Sequence, residues 1–172
     1  MTEFALFDTP IGRCGVAWNG DAVEGVQLPE ARAADTRRRL QDRFDGATEA
    51  VPPAAIRDAI DRIVASLRGE ADDLVEVPLD LDALPSFQRR VFEVVRTIPA
   101  GETLSYGEVA AAAGSPGAAR AVGQALGRNP FPIVIPCHRV LAAGGRIGGF
   151  TASGGTAVKE RMLAAEGVTP RT

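Results

Sequence analysis

Glycine and proline punctuate the second half of this 172-residue chain so closely that no long helix can form there. Pro99 and Gly101, Gly114-Ser115-Pro116-Gly117, Gly127-Arg128-Asn129-Pro130, Pro132 and Pro136 follow one another at short intervals. Proline has no amide hydrogen to give a helix, and glycine readily takes the left-handed conformation that ends one. Between the breaks the apolar spacing is helical. Ser86 reads as the N-cap of a helix through Phe87, Val91, Phe92, Val94 and Val95 that ends before Pro99. A second helix is expected near Ser105, with Glu108 as capping-box partner, running to Ala113. A third spans Ala118 to Leu126, and a last one runs from about Thr156 to Glu166 with Val158, Met162 and Leu163 inward. Two short helices around a glycine-containing turn make a helix-turn-helix pattern, which an ordinary helical hairpin shares.

The first half reads differently. Phe4 to Phe7, Cys14 to Trp18 and Val23 to Leu28 are expected strands, separated by Asp8-Thr9-Pro10-Ile11-Gly12 and by Asn19-Gly20-Asp21, the latter suited to a hairpin. Helical spacing covers Ala31 to Phe44 and Ala54 to Leu67. Leu74 to Leu81 is a strand or an extended connector, and Ile133-Val134-Ile135 a short buried strand or extended segment. The expected fold is α/β (α+β). A small sheet-and-helix domain over residues 1–84 precedes a mostly helical domain with the helix-turn-helix over residues 85–172.

The net charge of −3 conceals a division between these halves. Residues 1–84 hold 9 Lys and Arg against 17 Asp and Glu, a net of −8. Residues 85–172 hold 10 against 5, a net of +5, so a polyanion would meet the second half. The amino terminus lacks a basic segment followed by an apolar one, and no apolar run approaches the roughly 20 residues of a membrane span. The expectation is a cytoplasmic protein without membrane contact.

Two cysteines and one histidine exclude a zinc site of the usual Cys/His type. Cys14 sits in a strand-like stretch without an acid or base beside it, as a small buried hydrophobe would. Cys137 is followed by His138, the only histidine, and by Arg139. A thiol attacks as thiolate, neighbouring cations lower its pKa, and a histidine can take its proton. Adjacency alone leaves two readings open, a reactive thiol and a histidine that is merely a hydrogen-bonded neighbour.

The surrounding sequence bears on the choice. Ile135-Pro136-Cys137-His138-Arg139-Val140 resembles the active-site signature of the O6-alkylguanine-DNA alkyltransferases, the methylated-DNA–protein-cysteine methyltransferases. Ser86-Phe87-Gln88-Arg89-Arg90-Val91-Phe92 and Ile98 to Ala110 are similar to that family's approach to its helix-turn-helix. Gly117-Ala118-Ala119-Arg120-Ala121-Val122-Gly123 resembles its recognition helix and Asn129-Pro130 its hinge. Ser153-Gly154-Gly155, Lys159-Glu160 and Leu163-Ala164-Ala165-Glu166 resemble its closing segment. The likeness covers nearly all of residues 85–166; over residues 1–84 it rests mainly on Phe7-Asp8-Thr9-Pro10-Ile11-Gly12.

The resemblance implies a single-use protein that moves an alkyl group from O6-alkylguanine in double-stranded DNA onto Cys137, with O4-alkylthymine a candidate second substrate. Thiolate is the soft nucleophile such a displacement needs, and the thioether product is inert to water. By the same likeness His138 relays the proton through a water, Glu166 holds His138, Tyr106 gives a proton to a guanine ring nitrogen, and Asn129 braces the turn carrying Cys137. Because the target oxygen lies in a stacked pair, the nucleotide must be flipped. Arg120 would fill the vacancy, with Ala118, Ala119 and Gly123 allowing close approach to the minor groove. Arg128 and Arg89 are further candidates for phosphate contact. The base pocket would comprise Tyr106, Val140, Phe150, Thr151 and Ser153. Phe150 stands where the family usually has Tyr, and the spacing to Gly154-Gly155 is two residues longer, so the donor to the guanine oxygen is Thr151 or Ser153. The protein would act as a monomer without cofactor.

Three other readings fit parts of this pattern. A lesion-recognition module without transfer would lack the acceptor cysteine, which this chain has. A thiol hydrolase needs an oxyanion hole and leaves the helix-turn-helix unexplained. A regulator relying on one short, mostly apolar recognition helix would read few base edges.

Overall fold

A computed structural model of the chain describes residues 1–70, 74–147 and 155–171. Three antiparallel strands, β1 (Glu3–Thr9), β2 (Gly12–Asn19) and β3 (Ala22–Gln27), are joined by the two tight turns the sequence announces. A two-residue strand, β4 (Thr48–Glu49), adds in parallel to β1, giving the order β3-β2-β1-β4.

The period of two along the strands sends side chains to both faces, and both are covered. Phe4 and Leu6 of β1 and Ala17 of β2 meet Leu40 and Phe44, the side of helix α1 (Ala33–Arg43). Gly15 makes that approach possible, since a Cβ there would lie 2.2 Å from Leu40 Cδ1. Ala5, Phe7, Val16 and Trp18 face the other way, into the main core with Ile56, Ala59 and Ile63 of α2 (Ala54–Leu67). That core continues into the second half through Val91, Phe92 and Val95 of α3 (Ser86–Arg96), Val109 of α4 (Tyr106–Ala112) and Val122 of α5 (Ala119–Gly127).

Several expectations shift. Ser86 is the first helical residue of α3 rather than its cap: Pro85 occupies the cap position, where its extended backbone starts the helix without a side-chain acceptor. Leu74–Leu81 forms a connector with one isolated bridge, Val23 to Leu79, held by Val23 N to Pro78 O and Asp80 N to Val23 O, each 2.9 Å. Ile133-Val134-Ile135 is neither strand nor extended segment. It is a buried turn in which Ile133 takes φ 77° and Ile135 N bonds Phe131 O at 2.8 Å. An apolar run signals burial, and prolines on both sides deny it the ladder bonds of a strand.

The Ser105/Glu108 capping box forms as expected, both bonds at 3.1 Å, and starts α4 at Tyr106. Gly114 and Gly117, at φ 82° and 85°, turn the chain from α4 into α5. Two-residue strands β5 (Leu104–Ser105) and β6 (Val140–Leu141) pair in parallel, which sets the start of α4 beside the segment that follows Cys137. The last helix, α6 (Gly155–Ala165), packs on the single turn of 3-10 helix over Cys137–Arg139.

Candidate active site

Asn129 opens the loop that delivers Cys137. Its Nδ2 donates to Ile135 O and its Oδ1 accepts from Phe131 N, both at 2.9 Å. Ile135 O also accepts from Cys137 N at 2.7 Å. Two side-chain bonds therefore close a seven-residue loop that contains Ile133, β-branched and left-handed, a conformation that costs roughly 1–3 kcal/mol when unsupported. Cys137, 6% exposed, follows at the first position of the 3-10 turn. A cleft of about 230 Å³ reaches it between β3, Arg39 and Arg43 of α1, Leu126 of α5, and Asn129.

Burial pushes the Cys137 thiol up, while a hydrogen bond from the Asn129 side chain and the positive charge of Lys159 pull it back. The resting sulfur is thus a thiol that needs a base when it reacts. His138 is buried at 2% exposure, and its Nε2 lies 2.9 Å from Glu166 Oε1. Burial lowers the His138 pKa below 6.5, against the opposing pull of Glu166. Burial acts to raise the Glu166 carboxyl, but bonds from His138 and Arg139 outweigh it and bring it down to about 2. An ionised carboxylate can only accept, so Nε2 carries the histidine proton and Nδ1 keeps a lone pair. Nδ1 has no hydrogen-bond partner among the described residues. The arrangement leaves a neutral, oriented base beside a buried thiol.

Two buried cations complete this site. Arg139, 2% exposed, forks onto Glu166, with Nη2 to Oε1 at 2.7 Å and Nε to Oε2 at 3.0 Å, and sends Nη1 to Ile98 O at 2.7 Å. Lys159, 1% exposed, donates Nζ to Val140 O at 2.8 Å and sits 5.8 Å from the centre of the Tyr106 ring. Its signal was its position three and four residues before Met162 and Leu163, on the inner face of α6. For Arg139 the sequence shows a cation near the thiol but not its pairing with Glu166, 27 residues away.

Tyr106 is half-buried near Cys137. Burial raises its hydroxyl pKa, and charge on Cys137 raises it further. Gly123 of α5 faces the Tyr106 ring, where a Cβ would sit 3.9 Å from it. Val140 is fully buried. Phe150, Thr151 and Ser153 lie outside the described residues. Arg120 is exposed at the start of α5, near half-buried Ala118 and Ala119, and its side chain makes no ion pair or hydrogen bond with the described residues. Arg128 is exposed just beyond the end of α5. Arg89 is drawn elsewhere: it donates to Leu81 O at 2.5 Å and pairs with Asp82 at 3.5 Å. Cys14 stays apart, fully buried and pushed up to about 11 by burial.

Comparison with known proteins covers the region that holds these residues. A family model described as "6-O-methylguanine DNA methyltransferase, DNA binding domain" matches residues 86–168. A methylated-DNA–protein-cysteine methyltransferase of Mycolicibacterium paratuberculosis is 40% identical over 96% of this chain and 93% of its own. One from Methanothermobacter thermautotrophicus is 40% identical over 93% of this chain and 82% of its own. The crystal structure of Mycobacterium tuberculosis OGT in complex with DNA superposes with a TM-score of 0.78 at 37% identity, covering 96% of this chain and 93% of that one.

Proposed function

Because this chain belongs to the methylated-DNA–protein-cysteine methyltransferase family, we propose that it repairs alkylated DNA by irreversible transfer of the alkyl group from O6-alkylguanine to Cys137. The observation that carries the assignment of roles is the Cys137, His138 and Glu166 arrangement, in which His138 is neutral and its Nδ1 has no hydrogen-bond partner among the described residues. The thiol proton leaves through a water to His138 Nδ1 as sulfur attacks the alkyl carbon. The C–O bond breaks and its electron pair passes into the guanine ring, which takes a proton from the Tyr106 hydroxyl. The proton on His138 then restores Tyr106. The products are S-alkylcysteine and unmodified guanine, and the balance requires no cofactor.

Asn129 holds the loop, Arg139 fixes the carboxylate that orients His138, and Lys159 places positive charge where thiolate develops. Charge on the sulfur is favoured only as the reaction proceeds, which suits a reagent used once and otherwise kept inert. The pair α4 and α5 serves as a helix-turn-helix, with Arg120 entering the stack as the damaged nucleotide leaves it. Ala118, Ala119 and Gly123 let the backbone close on the minor groove, and Arg128 meets phosphate. Arg89 supports the connector at Leu81 and Asp82 instead. The pocket for the flipped base is Tyr106 and Val140, completed by Phe150 and by a hydroxyl from Thr151 or Ser153. Residues 1–84 support the reactive domain of residues 85–172, and the protein works as a monomer in the cytoplasm.

Cys137→Ala tests the assignment. Transfer from a duplex bearing one O6-methylguanine should vanish while duplex binding persists. Residual transfer at the wild-type rate would remove Cys137 from the reaction.

A further inference from the structure

The loop from Asn129 to Cys137 is held at a third point, and that point belongs to the other half of the chain. Pro130 O accepts two hydrogen bonds, from Val26 N at 2.8 Å and from Arg43 Nη2 at 3.1 Å. The same guanidinium sends Nη1 to Val26 O at 2.7 Å and to Gln27 Oε1 at 3.0 Å. Arg43 therefore ties the end of α1 and the end of β3 to the hinge, 87 residues away. The neighbourhood is shaped for this contact. The guanidinium packs 5.2 Å from the centre of the Phe44 ring, and Gly25 leaves it room, since a Cβ there would stand 2.8 Å from Arg43 Nη2 and 2.6 Å from Phe44 Cζ.

We infer that Arg43 is a positioning residue for Cys137, acting through Pro130 and Asn129. The inference rests on the alkyl-transfer reading. Arg43 lies at the surface but spreads planar donors over three acceptors, a task suited to its fork of N–H groups. Its target is the residue next to Asn129, whose side chain sets both Phe131 N and Ile135 O. Between those two points stands left-handed Ile133, which the loop keeps only while its ends are fixed. Arg43 and Cys137 also border the same cleft, so loosening Pro130 frees the loop to move toward the space beside the sulfur. The acidic first half thus reaches the loop that carries Cys137 through Val26 and Arg43 together, and Arg43 is its side-chain contribution.

Single use makes the test clean, because the final amount of alkylated protein reports the competent fraction and the rate constant reports placement of the thiol. Arg43→Ala, Arg43→Lys and the wild type are mixed with saturating duplex carrying O6-methylguanine, and transfer is followed against time and pH. For Arg43→Ala the first-order rate constant at saturation should fall roughly 10-fold to 100-fold, as for a small misplacement of a reacting group. Duplex affinity and final stoichiometry should hold. The pH dependence should also move, because the Asn129 side chain that bears on the thiol would shift with the loop, and Arg43→Lys should recover part of the rate. If Arg43→Ala does not fold, Arg43→Gln, which keeps two donors, replaces it with a smaller expected loss. Lowered stoichiometry or melting temperature with a wild-type rate constant and pH profile would overturn the inference and make Arg43 merely structural. Failure of the wild type to transfer at all would instead overturn the parent reading, and this inference with it.

Discussion

Glu166→Gln keeps the shape of the side chain and removes its charge. In the structure the carboxylate is 5% exposed and takes Arg139 Nη2 at 2.7 Å, Arg139 Nε at 3.0 Å and His138 Nε2 at 2.9 Å. The amide would keep one acceptor and aim an NH2 at donors. Arg139, 2% exposed, would keep Ile98 O and at most one oxygen of the side chain, and would lose the opposite charge. Removing one partner of a buried pair costs about 3–5 kcal/mol, because the remaining charge stays buried. The pKa leads to a similar figure: lowering the carboxyl from 4.5 to about 2 corresponds to about 3 kcal/mol in favour of the charged form. For a chain of this size each kcal/mol moves the melting point by roughly 2–4 °C, so Glu166→Gln should melt about 6–20 °C lower at pH 7. The sign of the pH effect follows from the direction of the shift. A depressed carboxyl stabilises the fold above its unfolded value of 4.5, and that contribution fades as pH falls from 4.5 toward 2. The gap between wild type and variant should therefore be full at neutral pH and close in acid. Thermal unfolding followed by circular dichroism between pH 3 and pH 8 measures both. A neutral-pH difference under about 2 °C, or one that does not narrow below pH 4.5, would refute the reasoning.

Arg120→Ala should slow repair of a duplex far more than reaction with a free O6-alkylguanine base, measured as two rate constants; equal losses would argue against insertion into the stack. The rate of transfer should be level through neutral pH and fall in acid below 6.5, as His138 takes a proton despite its lowered pKa. Tyr106 is raised from 10.0, so an alkaline decline should lie above that value; a decline centred near 9 would assign the wrong group. Duplex affinity should drop as salt rises, since phosphate contacts release counterions, and an affinity insensitive to salt would exclude the basic half as the contact surface.

Local signals in the sequence carried far. The helix over Ala54–Leu67, the three leading strands and the Ser105/Glu108 cap each depend on residues a few positions apart, and each forms where the pattern lies. The site is legible for a different reason. The Cys137-His138 pair is contiguous, and Asn129, Tyr106 and Glu166 were recognised by family resemblance rather than by any local physics. What the sequence hid is long-range. Arg139 and Lys159 are charges buried by partners far along the chain, and a lone charge in an apolar pattern reads as solvent-facing until that partner is known. The β5–β6 pair, two residues on each side, is too short to show alternation, yet it brings Tyr106 to Cys137. Ile133 to Ile135 misled because hydrophobicity reports burial, while prolines and the Asn129 side chain decide the backbone path.

The most direct measurement is the mass of the intact protein, followed by peptide mapping, after incubation with a short duplex containing one O6-methylguanine. The account predicts a gain of one methyl in place of one hydrogen, confined to the peptide bearing Cys137 and saturating at one per chain. A methyl on any other residue, continued turnover beyond one per chain, or an unchanged mass with the duplex bound would contradict it.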